Sequence, residues 1–252
     1  MIVHTQIHQK NYKADLTKPI DISLPIQKGL LTNPSCYWAD GVDFQTISIG
    51  NFVGSVKAGG SVNYQKLVMT PHGNGTHTEC YGHISDDSAA TIHNSLTNFH
   101  FTAQLISAIP LNVGADSFIS ISQIENIFQP GVQAVVIRTL PNDPSKKNRQ
   151  YSGTNPPYLH ADVLAFFATH GVDHILIDLP SLDKEVDGGK LAAHKAFWKY
   201  PYATRKQATV TELIYVDDTI PDSFYLLNLQ IISLAMDASP SKPVLYKLTE
   251  VL

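Results

Sequence analysis

The stretch HGNGTHTECYGH, from His72 to His83, gathers three histidines, a glutamate, a cysteine and three glycines. If the chain is extended from Thr76 onward, side chains two apart share a face, which puts His77, Glu79, Tyr81 and His83 on one side. Imidazoles and a carboxylate in phase within a glycine-rich segment are hard to explain as packing. A divalent transition metal such as zinc or manganese accepts nitrogen and carboxylate-oxygen ligands, and a catalytic site leaves a coordination position open. His72 lies five residues before His77 and so falls out of phase. Gly73, Asn74 and Gly75 tolerate positive φ, and a bulge or tight turn there would bring His72 round to the others. Taken singly, His4, His8, His93, His100, His160, His170 and His174 read as surface or hydrogen-bonded core residues.

Runs rich in Val, Ile, Tyr and Thr read as strands in DISLPI from Asp21, FQTISIG from Phe44, VNYQKLVMT from Val62 and VQAVVIRT from Val132. In LHADVLAFFATHG the residues Val163, Leu164, Phe167 and Ala168 fall at helical spacing and Gly171 is placed as a C-terminal cap. The strand HILIDLP follows, so the order is β-α-β and some strand pairing should be parallel. KLAAHKAFWKY reads as a second helix, and ATVTELIYV, SFYLLNLQIISLAM and KPVLYKL return to strands. Between Leu140 and Tyr158 runs a long polar, proline-rich segment, read here as a lid rather than a domain linker.

The 252 residues are taken as one domain spanning 1–252, with a hydrophobic fraction of 43% and a charged fraction of 16%. A net charge of −4 leaves no basic excess for a nucleic-acid backbone. The longest apolar run, FYLLNLQIISLAM, is broken by Asn228 and Gln230 and too short for a bilayer. The N-terminus lacks a secretory pattern and two cysteines are too few for a disulfide framework, so the chain is expected in the cytoplasm.

These segments together resemble the cyclase family of metal-dependent hydrolases, which includes bacterial kynurenine formamidases. GTHTECYGH, from Gly75 to His83, aligns without gaps with the end of that family's H-x-G-T-H-x-D-x-P-x-H motif. DISLPI, IDLPSLD, KLAAHKAFW, TELIYV and LNLQIISLAMDASPSKPVL match further family segments in order. The resemblance implies an α/β, swivelling β/β/α fold with mixed sheets and few helices, assembled as a homodimer or homotetramer. It also implies a centre of one or two zinc or manganese ions on His72, His77, Glu79, His194 and Glu212, a proton-transfer role for His83, and a substrate contact near Trp38. One extra residue separates His72 from Gly75, and Glu79 and Gly82 replace the motif's aspartate and proline. The gap from His194 to Glu212 is also longer than usual.

Read without the resemblance, His194 shares a helix face with Leu191, Phe197 and Trp198 and reads as a buried-edge histidine. Glu212, in phase with Val210 and Ile214, reads as a buried carboxylate needing a cation or hydrogen-bond partner. Asp178, Ser181 and Asp183 are read either as groups that orient ligand histidines or as a strand-end turn. The expected reaction is hydrolysis of a non-peptide C–N bond in a small amide, cyclic amide or ester, N-formylkynurenine of tryptophan catabolism being the first candidate. The alternatives are a hydrolase or dehydratase of another small carbonyl compound such as isatin, and a non-catalytic metal- or ligand-binding protein that kept the fold.

Overall fold

Alternate residues of the run AVVIRT face two different apolar layers, so the strand it forms is buried along its whole length. The computed structural model describes residues 1–251. In chain order its strands are β1 (Ile2–Ile7), β2 (Lys10–Asp15), β3 (Ile20–Asp21), β4 (Asp43–Thr46), β5 (Ser48–Ile49), β6 (Phe52–Val53), β7 (Gln65–Val68), β8 (His77–Glu79), β9 (His100–Ala108), β10 (Leu111–Val113), β11 (Asp116–Ile119), β12 (Ala134–Thr139), β13 (Tyr158–Leu159), β14 (His174–Ile177), β15 (Thr209–Glu212), β16 (Phe224–Ile231) and β17 (Ala238–Glu250). The α-helices are α1 (Ile92–Ser95), α2 (Ala161–Thr169) and α3 (Ala192–Trp198).

The main sheet closes on itself. Its order is β17-β16-β9-β12-β14-β15-β8, and β8 pairs back to β17, while β1, β2 and β3 extend it from β17. β9, β12, β14 and β15 run parallel, and the remaining pairs of the ring are antiparallel. Closure leaves no free edge beside β8, where an unpaired backbone would otherwise face solvent. This is the mixed-sheet, helix-poor α/β architecture implied by the sequence resemblance.

Val135 and Ile137 of β12, with Ile175 and Ile177 of β14, pack against Val163, Leu164 and Phe167 of α2 and Phe197 and Trp198 of α3. Ala134, Val136 and Leu176 face the other way and meet Leu105, Tyr225, Leu227 and Leu245 from strands round the ring. α2 carries the chain between parallel β12 and β14, and Gly171, at φ +78°, follows its C-cap as the sequence predicts.

One strand expectation changes. Of DISLPI only Asp21 is strand, paired through Ile20–Asp21; Pro25 has no N–H for a ladder, and the Leu24 N–H donates to the Thr76 hydroxyl instead. The 140–158 segment, expected as a lid, is tied down as a strap: Pro144–Lys147 forms a 3₁₀ turn, and the buried Lys146 ammonium donates to the Thr139 carbonyl and to Asp178 Oδ2 at 2.6 and 2.8 Å. Further along, Tyr151 N–H donates to the Ser35 carbonyl and Trp38 N–H to the Ser152 hydroxyl. No helix among the described residues is long and apolar enough to cross a membrane.

Candidate metal centre

β8 lies between β15 and β17, and the register of these pairs assembles most of the cluster. His77 stands opposite Glu212 on β15, and Glu79 stands opposite Val210 on one side and Ala238 on the other. His194 arrives from α3, whose first turn is capped at a distance: Asp183 accepts the N–H groups of Ala193 and His194 at 2.8 and 3.1 Å. The phase conjecture for His72 holds. His72 sits in a 3₁₀ turn, Pro71–Gly73, and Gly75 takes φ +76°, which only glycine adopts without strain. The in-phase placement of Tyr81 and His83 is corrected. β8 stops at Glu79 and Tyr81–Ile84 is a 3₁₀ turn, so Tyr81 turns to Asp87 while His83 comes back over the site by the curl of the backbone.

The five residues expected as ligands, together with His83, converge. His72 Nδ1 is 3.0 Å from Glu79 Oε2, His194 Nε2 is 3.0 Å from Glu79 Oε1, and His77 Nε2 is 3.3 Å from Glu212 Oε2. His194 Nε2 is 3.8 Å from Glu212 Oε1, and His83 Nδ1 is 3.7 Å from Glu79 Oε2. His77, Glu79, His194 and Glu212 are buried, whereas His72 and His83 are partly exposed at the mouth. The second acceptor of Glu212, Oε1, takes the Leu182 N–H at 3.1 Å.

Two atoms decide whether a cation fits. His77 Nε2 and Glu79 Oε2 are buried and make no hydrogen bond. Ligand atoms of His72, His77 and Glu79 lie within 4.8 Å of one another, as do those of Glu79, His83 and His194. Separations of 3.3–3.8 Å are long for hydrogen bonds but near the roughly 3.4 Å between atoms sharing a tetrahedral ion at about 2.1 Å. The donor set fits a divalent ion.

The carboxylates of the cluster favour the protonated form of the histidines beside them. Burial alone would lower the His194 pKa, but the hydrogen bonds to Asp183 and Glu79 outweigh it and push it up to about 10. His72 is likewise pushed up to about 10, against burial, by Asp237 and Glu79. Glu79 is held well below the usual carboxylate range, its burial outweighed by His83, His194 and His72.

Asp183 fulfils the orienting role, with His194 Nδ1 donating to its Oδ2 at 2.6 Å. Asp178 does not; it is buried with Lys146 and Thr139, and Ser181 accepts the Asp183 N–H. Trp38 lies 73% exposed on the loop facing the strap, and Tyr37 and Trp38 both have positive φ, 54° and 52°. The residue that sequence reasoning missed is Asp237, whose Oδ2 lies 2.8 Å from His72 Nε2 and 3.6 Å from His83 Nδ1. It opens the DASP stretch just before β17, inside the segment LNLQIISLAMDASPSKPVL, whose match to the family was the one signal in the sequence.

The Cyclase family model matches residues 14–184 of this chain. The chain belongs to the cyclase family. It is 26% identical over 226 residues to a kynurenine formamidase of Bacillus mycoides (strain KBAB4), covering 90% of this chain and 96% of that one. It is 24% identical over 229 residues to one of Bacillus anthracis, covering 91% and 97%. A solved structure described as a potential metal-dependent hydrolase with cyclase activity superposes with a TM-score of 0.66 at 18% identity, over 91% of this chain and 97% of that one. Isatin hydrolase A from Labrenzia aggregata, bound to benzyl benzoate, gives 0.64 at 12% identity, over 91% and 93%. The cyclase fold of this chain is therefore shared along nearly its whole length.

Proposed function

We propose that this cyclase-family chain is a metal-dependent hydrolase of non-peptide C–N bonds in small amides or cyclic amides, with N-formylkynurenine as the first substrate to try. The observation that carries the reading is the convergence of His72, His77, Glu79, His194 and Glu212 around two buried polar atoms that lack partners, His77 Nε2 and Glu79 Oε2. The named kynurenine formamidases among its relatives support the reaction class.

In this reading those five side chains hold one or two ions of zinc or manganese. When bound, such an ion polarises a carbonyl and brings the pKa of water toward neutrality. The chain's own residues do the rest. Asp183 and the Gly75 carbonyl each accept an Nδ1 proton, from His194 at 2.6 Å and His77 at 3.0 Å, and so keep the Nε2 atoms of both rings turned to the carboxylates. His83, partly exposed at the mouth and 5.5 Å between ring centroids from His194, takes the proton that water loses as its oxygen bonds to the carbonyl carbon. It returns that proton to the nitrogen as the C–N bond breaks. Trp38, exposed on the neighbouring loop, is the proposed substrate contact.

A cyclic amide such as isatin is the second reading, favoured by the isatin hydrolases among the matching folds. The experiment is to load the purified protein with zinc or manganese and assay N-formylkynurenine and isatin side by side, with His83→Ala as the control. Turnover of one that is lost in the variant supports the reading; no metal uptake, or full activity in His83→Ala, overturns it. Binding without turnover points to the non-catalytic alternative.

A further inference from the structure

We propose that Asp237 is the positioning residue of His72, holding the Nε2 proton of that ring so that Nδ1 is the atom His72 offers to the centre. The inference rests on the metal-centre reading above and concerns a residue to which that reading gives no role.

Each buried imidazole of the cluster has one nitrogen tied to an acceptor outside the ligand set. His194 donates Nδ1–H to Asp183 and His77 donates Nδ1–H to the Gly75 carbonyl, at 2.6 and 3.0 Å, so both turn Nε2 inward. His72 is reversed. Its Nε2 lies 2.8 Å from Asp237 Oδ2 and its Nδ1 lies 3.0 Å from Glu79 Oε2. A ring tied at Nε2 can present a lone pair only at Nδ1, because a neutral imidazole carries one proton.

The reversal has a local cause on both sides. One more residue stands between His72 and Gly75 than in the family motif, and His72 leaves the strand direction in the Pro71–Gly73 turn. Asp237 has little freedom: its carbonyl accepts the Cys80 N–H at 3.0 Å, and the next residue, Ala238, is in register with Glu79. The backbone thus delivers a carboxylate to the outer nitrogen of His72. Glu79, one methylene longer than the motif's aspartate, reaches the inner one.

The test is histidine ¹⁵N NMR on the full-length protein, read with and without zinc, for wild type, Asp237→Ala and Asp237→Asn. With zinc, the expected result is a proton on Nε2 of His72 and on Nδ1 of His77 and His194. Asp237→Ala should weaken zinc binding about 10- to 100-fold, and Asp237→Asn, which keeps an acceptor oxygen, should restore much of it. Because the pairing with Cys80 uses the Asp237 backbone, Asp237→Ala keeps that strand contact. A zinc-bound Nε2 on His72, direct ligation by Asp237, or unchanged zinc affinity in Asp237→Ala overturns the proposal. If wild type takes up no zinc, the hydrolase reading falls, and the metal-free spectra still decide the pairing. An Nε2 proton on His72 that is protected from exchange and loses protection in Asp237→Ala supports it, and equal exchange in both overturns it.

Discussion

His194 Nε2 lies 3.0 Å from Glu79 Oε1, joining a short helix to a strand 115 positions earlier in the chain. Both side chains are almost wholly buried. A buried imidazole–carboxylate pair with further carboxylates around it is costly to desolvate unless a cation or protons neutralise it. The predictions below follow from what occupies that space.

Metal binding should release protons. His72 and His194 are both pushed up to about 10, so both are protonated at pH 8 in the metal-free protein, and a cation must displace those protons. Raised pKa values favour the protonated form as pH falls, so metal affinity should drop from pH 9 to pH 6. Titration calorimetry in buffers of different ionisation enthalpy should report release of about two protons per site filled.

Asp183→Ala removes the acceptor of His194 Nδ1 and the distant cap of α3. Zinc affinity should fall about 10- to 100-fold, measured by competition with a chelating dye. The fold should weaken by about 1 kcal/mol from the lost cap.

His83→Ala should lower kcat by about 10²- to 10⁴-fold with zinc content unchanged. Steady-state kinetics paired with metal analysis of the same sample separates this from loss of the centre.

Lys146→Met should destabilise the protein by about 3–5 kcal/mol, because Asp178 is left buried without its partner. Burial already pushes Asp178 above the usual carboxylate range, against the pull of Lys146 and Thr139. Urea unfolding at neutral pH measures the loss.

Acid should unfold the protein partly through His174. Burial, and secondarily Arg205, lowers its pKa to about 3; its Nδ1 hydrogen-bonds with the Thr209 hydroxyl at 2.8 Å and its ring lies 3.9 Å from that of Phe101. A depressed pKa means the contribution is fully present above about 6.5 and is lost as pH falls toward 3. The slope in that window is up to about 1.4 kcal/mol per pH unit from this residue, and it should be missing in His174→Gln.

How much of this was legible depended on whether a pattern was local. The helix at Ala161–Thr169 and the strand at Ala134–Thr139 follow from periodicity and a glycine cap, and His77, Glu79 and Glu212 follow from strand phase. The hairpin of β1 and β2 went unread because its turn uses His8 and Gln9 at φ 50° and 64° rather than the glycine or asparagine that marks such turns. His83 was named from the sequence but by the wrong route, and Asp237 was hidden. One arrives through a 3₁₀ curl that breaks strand phase, and the other through pairing of β17 with β8 more than a hundred residues apart, which no local spacing records.

The most direct measurement is a crystal of the zinc-loaded protein with diffraction data on either side of the zinc absorption edge. The account predicts anomalous density within bonding distance of His77, Glu79, His194 and Glu212, with His72 Nδ1 turned toward it. Zinc found only elsewhere, or none bound while His77 Nε2 and Glu79 Oε2 stay buried without hydrogen-bond partners, would contradict it.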